Sequence, residues 1–231
     1  MAERGVPSAE NVNNLTLLDN SLYHVGFELS RQPPSFFRVA REAHLVLLRA
    51  MVEALRGTAN LAILGRRERK QSVIYRSGNN PWQEIHRVAV PGCKKAWRFS
   101  PPAPCLPPAK PTGPKQLPAL DDHLLGFYDL VAMIQTERYM VKVHEAQYAS
   151  LSDAELRELE WLHEHIRNEF EHYTPKSYTI GGEALVGASA LALRTAQWLL
   201  FTSGTVHRIY VSRGLERRLS WLLSHIARLA K

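Results

Sequence analysis

Nine prolines between residues 91 and 118 exclude a helix interior over that stretch. Each proline lacks an amide donor and clashes with the turn before it. The helix-forming segments therefore fall on either side of a long break. Before it, Leu15, Leu18, Leu22, Val25 and Leu29 form a helical stripe over residues 13–30. Phe36, Ala40, Leu47, Met51 and Leu55 define a second helix over 35–56, with Pro33-Pro34 ahead of it and Gly57 behind. Residues 61–63, 73–75 and 82–90 read as short strands between charged or Gly-Asn-Asn-Pro turns, and 91–118 as an irregular extended loop. After the break, apolar spacing predicts one helix over about 119–148. Ser152-Asp-Ala-Glu155 is a capping box that opens a helix running to about Tyr173, ahead of Pro175. Further helices follow from Gly181-Gly182 to about Phe201 and over 213–230. The expected architecture is mainly α. It is a helical bundle of one domain, residues 1–231, carrying a small basic, partly β, Pro-rich insertion at about 59–118.

Charge is distributed unevenly along this plan. The net charge is +7. Residues 59–98 hold nine Lys/Arg against two acidic residues, a net +7, and residues 194–231 carry +6. Residues 119–175 hold twelve acidic residues against four basic ones, a net −8. Such runs serve as solvated faces, or as two basic surfaces around an acidic centre that suit an anionic partner such as nucleic acid. Within the insertion, Arg66, Arg67, Arg69 and Lys70 are the candidate phosphate contacts. Cys93 and Cys105 form neither a disulfide framework nor a zinc pattern, which fits a reducing compartment. No signal peptide is visible behind Met1, and the apolar run Ala184 to Leu193 is too short to span a membrane. The expected setting is cytoplasmic.

The segment with the most chemistry is Ile166-Arg-Asn-Glu-Phe-Glu-His172. At about 100° per residue, Leu156, Leu159, Leu162, Ile166, Phe170 and Tyr173 form one apolar stripe. Arg167, Asn168 and His172 then point away from it, and Trp161 shares their polar face. A large aromatic on a polar face suggests a covering partner. In a symmetric dimer with Trp161 at the interface, two copies of Arg167, Asn168 and His172 would meet.

Arg167-Asn168-x3-His172 resembles the Arg-(polar)-x3-His signature of the HEPN superfamily (higher eukaryotes and prokaryotes nucleotide-binding). These are helical-bundle proteins, many of them metal-independent endoribonucleases of toxin–antitoxin and defence systems. The resemblance implies a composite site in a homodimer cleft, with RNA as substrate, a cognate antitoxin as a partner and no cofactor or metal. Catalysis falls to Arg167, Asn168 and His172, with Tyr173 and Lys176 just beyond them as candidate RNA contacts. The toxin subgroup that carries this motif has a tyrosine two residues after the histidine, whereas Tyr173 follows His172 directly.

The residue types suit the reaction. Histidine moves protons near neutrality. Arginine offers a bidentate, permanently charged donor to phosphate oxygens. Asn168 lies one turn from His172 and can orient it. A plainer reading exists for each residue: His172 as a helix-end cation, and Arg167 as a surface ion pair with Glu164 or Glu171. On that reading the chain is a non-catalytic helical module for dimerisation or partner binding. Glu160-x-x-His163 and Glu169-x-x-His172 mimic a di-iron motif, but both lie on one helix and diverge in direction. No phosphate loop, nucleophile elbow or dinucleotide fingerprint occurs.

Overall fold

The computed structural model describes residues 13–56, 64–65, 87–99, 123–140, 146–168, 180–207 and 211–229. It is mainly helical. Helix α1, Asn14–Ser30, starts at Asn13, whose side chain accepts a hydrogen bond from the Thr16 amide at 3.0 Å. Helix α2, Phe36–Leu55, is the central element, with twelve of its twenty residues buried. It packs against α1 along its length and against most of the helices that follow. Leu18, Leu22, Leu47 and Met51 are fully enclosed at this junction. Each such side chain contributes about 1.5–3 kcal/mol through burial.

Four short strands follow the sequence order: β1 at Leu64–Gly65, β2 at Arg87–Ala89, β3 at Trp97–Phe99 and β4 at His123–Leu124. They form two antiparallel pairs, β1 with β4 and β2 with β3. Strand β2 falls within the expected 82–90 segment. The expected strand at 73–75 lies outside the described residues. Strand β3 departs from the irregular loop expected over 91–118. Trp97 and Phe99 alternate inward around Arg98, and Val90, Ala96, Trp97 and Phe99 join the main core. The described part of the insertion is thus built into the protein rather than set outside it.

The helix expected over 119–148 is broken. Helix α3, Phe127–Ile134, begins after Gly126, and α4, Glu137–Met140, is one short turn. Two side chains compete for carbonyls at the break: Gln135 donates to the Val131 carbonyl at 2.9 Å and Thr136 to the Ala132 carbonyl at 2.9 Å. Residues 146–151 form no regular secondary structure.

Helix α5, Asp153–Trp161, opens on the expected capping box: Ser152 accepts from the Glu155 amide while Glu155 accepts from the Ser152 amide. It continues as a π-helical segment, Leu162–Asn168. Helix α6, Gly182–Gln197, also ends in a π turn, Trp198–Thr202. Together these 21 residues are long and apolar enough, by length and composition alone, to cross a membrane. Here they pack against α2, α5 and the last helix, α7, Arg213–Leu229. Gly187 permits the close approach to α5, since an added Cβ would sit 2.9 Å from Glu158 Oε1.

Candidate functional site around Arg167

The site is built on the helix that starts at Ser152. Leu156, Leu159, Leu162 and Ile166 are buried, as the apolar stripe requires. Beyond Trp161 the helix is not α. The π segment bonds five residues back rather than four, so the expectation of about 100° per residue fails where the motif begins. Two placements differ from the expectation, that of Arg167 within this segment and that of Trp161 just before it. Trp161 does not stand out on a polar face. It is half-buried against the core edge, with its ring 5.7 Å from that of His165. Arg167 is also half-buried, and its charge reaches two buried imidazoles.

Those imidazoles belong to His44 on α2 and His163 on the π segment. His44 Nε2 and His163 Nδ1 lie 2.9 Å apart. One nitrogen must donate and the other accept, so the pair holds complementary tautomers. The Phe127 ring lies flat on His163 at 4.3 Å and 6°, and tilts against His44 at 4.9 Å. Burial pushes His44 down to about 3, with the neighbouring His163 and the Arg167 charge acting in the same direction, since a second proton on the pair would repel the first. Burial likewise pushes His163 down to about 4, helped by Arg167 and Lys95 and opposed by Glu164. Both rings are therefore neutral at physiological pH. They are enclosed, which suits them to positioning the π segment rather than to touching substrate.

The opposite flank of the helix carries carboxylates, and the β2–β3 hairpin satisfies them. Glu160 accepts from three successive backbone amides, Lys94 at 3.0 Å, Lys95, and Ala96 at 3.1 Å. Glu164 pairs with Lys95 at 2.5 Å and accepts from the Tyr128 hydroxyl at 2.7 Å. Arg98 binds Asp153 at 2.5 Å and the Leu151 carbonyl at 2.6 Å. Arg157 returns a bond to the Pro91 carbonyl at 2.9 Å. Thus part of the insertion's positive charge neutralises the acidic helix. Buried carboxylates demand such partners, because an unpaired one costs several kcal/mol in desolvation, as an order of magnitude. Burial, with Glu160 close by, raises the Cys93 thiol to about 11 and keeps it protonated.

The remaining expected site residues are only partly placed. Asn168 closes the π segment. His172, Tyr173, Lys176, Arg66, Arg67, Arg69 and Lys70 lie outside the described residues. The sequence reading missed both the His44–His163 pair and the Glu160 clamp. A signal for the pair was present: His44 continues the Ala40, Leu47, Met51 stripe, and His163 sits between Leu159 and Ile166. A histidine on an apolar face of each of two helices calls for a polar partner inside. Among the described residues, no group of three or more His, Cys, Asp or Glu side chains is placed to hold a metal ion.

No family model, curated protein or solved structure matches this chain.

Proposed function

We propose that the chain is a HEPN-type endoribonuclease that needs no metal and acts as a homodimer, as a toxin or defence effector in the cytoplasm with a cognate antitoxin. Arg167 binds the scissile phosphate and stabilises the phosphorane. The substrate 2′-hydroxyl attacks phosphorus and the bond to the 5′-oxygen breaks. His172 protonates that leaving oxygen, the partner's His172 takes the 2′-hydroxyl proton, and Asn168 orients the imidazole. The products end in a 2′,3′-cyclic phosphate and a 5′-hydroxyl.

What supports this reading is the environment of Arg167. It sits in a π-helical turn, a distortion that recurs at functional sites. Two carboxylates of the same helix, Glu160 and Glu164, are bonded to the hairpin and to Tyr128. Part of the helix's acidic charge is thereby neutralised, which lessens its opposition to a phosphate. A second reading, a non-catalytic partner-binding module, draws on the half-burial of Arg167 and Trp161. The two separate in one assay. The first expects purified protein to cut single-stranded RNA in excess EDTA, with cyclic phosphate ends identified by mass spectrometry. Intact RNA across varied sequences would leave the binding module.

A further inference from the structure

The outer faces of α1 and α7 carry three large aromatics that the proposed cleavage chemistry does not use. Tyr23, Phe27 and Trp221 are 60%, 52% and 51% exposed. The two helices meet along a seam marked by the Arg218–Asp19 ion pair and by Trp221 lying over Gly26, where an added Cβ would be 3.8 Å from the ring. Tyr23 follows Asp19 by four residues and precedes Gly26 by three, so it shares that edge of α1, and Phe27 stands one turn further. On α7, Arg217, Trp221, His225 and Arg228 follow one another at helical spacing, a row about 16 Å long. The Trp221 and His225 rings stack at 5.3 Å and 20°. Arg217 and Arg228 are exposed.

We propose that this face, with Tyr23 and Phe27 beside the row Arg217–Trp221–His225–Arg228, is a docking surface for single-stranded RNA. Flat aromatic rings interleaved with guanidinium groups are what a flexible polyanion with exposed bases requires. The bases stack on the rings and the cations follow the phosphates. Helix α7 itself carries Arg213, Arg217, Arg218 and Arg228 against Glu216, a net +3 that complements such a strand. Two other occupants fit less well. A membrane would need a continuous apolar helix face to insert, yet Leu215, Leu219, Leu222 and Ile226 of α7 are already buried in the protein, which leaves Trp221 and Leu229 as its exposed large apolar side chains. A second copy placed face to face would oppose arginine with arginine. The surface extends the ribonuclease reading by giving the substrate a place to bind away from Arg167.

The test is fluorescence anisotropy of a short labelled 2′-O-methyl oligouridine, which has no free 2′-hydroxyl to attack, with the full chain in EDTA. Trp221→Ala is expected to weaken binding about 5- to 150-fold, the range for loss of one stacking platform, and Trp221→Phe to keep most of it. Arg217→Ala and Arg228→Ala should each lower the salt slope by about one, with the unfolding midpoint measured alongside because Arg228 also bonds the Ser224 carbonyl and His225. Unchanged affinity and unchanged slope in these variants overturn the surface. It is equally overturned if Trp221→Ala loses binding to phosphatidylserine vesicles but not to RNA, or splits a dimer with RNA affinity intact. Cleavage is scored on the same proteins. RNA held through Trp221 but never cut keeps the surface and removes the nuclease. RNA cut by variants of unchanged affinity does the reverse.

Discussion

Helix α2 and the helix from Asp153 to Asn168 are both long, and both pack into the same core, yet they are held by different forces. α2 is regular over all twenty residues, and its buried side is mostly aliphatic, with His44 and Glu53 as the polar exceptions. The second helix begins regularly at its capping box and then widens into a π turn at Leu162. Its buried residues include Glu160 and His163, each bound to a different part of the chain. Apolar burial has no direction and tolerates ideal geometry. Buried polar groups must meet particular partners. The motif-bearing segment lies where the second kind of force prevails.

This contrast can be broken at several points. The largest effect is expected in α2. Leu47→Ala should cost about 2–5 kcal/mol, because a fully buried leucine leaves a cavity. Urea denaturation reads this directly. A cost below about 1 kcal/mol would mean that α2 is not the apolar anchor.

The polar clamp comes next. Glu160→Ala removes the acceptor for the amides of Lys94, Lys95 and Ala96. The expected cost is about 1–3 kcal/mol, with Glu160→Gln milder because it keeps an acceptor oxygen. Hydrogen exchange at those three amides should accelerate while amides within α2 stay protected. Uniform acceleration in both regions would show that the two are one cooperative unit and erase the distinction.

The histidine pair adds a pH dependence that an aliphatic interface lacks. In the folded protein both imidazoles are depressed from the ordinary 6.5, His44 to about 3 and His163 to about 4. The unfolded chain takes up these protons near pH 6.5 and the folded chain does not. Stability is therefore full above that pH and falls as pH drops from about 6.5 toward 4. The groups acting on the pair are Arg167, Lys95 and Glu164. Arg167→Ala should make the acid decline shallower, since one depressing charge is gone. A double variant, His44→Phe with His163→Phe, should flatten that part of the curve. An undiminished decline in the double variant would place the acid sensitivity elsewhere.

The smallest effect is expected at the hairpin turn. Gly92 has φ 78°, a conformation costing another residue about 1–2 kcal/mol. An added Cβ would also press on Arg157 Cδ at 2.9 Å, but that side chain is flexible. Gly92→Ala should lower the melting temperature by a few degrees and release the hairpin before the helices. No change would mean that the turn relaxes freely.

The contrast also explains what was legible beforehand. The stripes of α1 and α2 and the capping box at Ser152 follow from spacing, which is a local property, and they appear where spacing places them, as does the last helix within its expected span. The break at Gln135–Thr136 depends on side chains bonding to backbone carbonyls, which periodicity does not register. The π turn escaped for a further reason. It accompanies partners that are distant in sequence: His44, 119 residues before His163, and the amides of residues 94–96, some 65 residues before Glu160. A helical wheel drawn on the segment alone carried no trace of them. The same wheel placed Trp161 on the outward face, where the structure has it half-buried. The residues of the motif itself were legible as chemistry, but their orientation was not legible as geometry.

The central claim is that Arg167 and His172 perform metal-free RNA cleavage. It is tested most directly by comparing cleavage rates of wild type, Arg167→Ala and His172→Ala in EDTA, with the unfolding midpoint of each protein measured alongside. The account predicts a loss of about 10²–10⁴-fold for His172→Ala, a comparable loss for Arg167→Ala, and folded protein throughout. Full activity in His172→Ala would contradict it, as would inactivity of the wild type on every RNA combined with a lower melting temperature in His172→Ala.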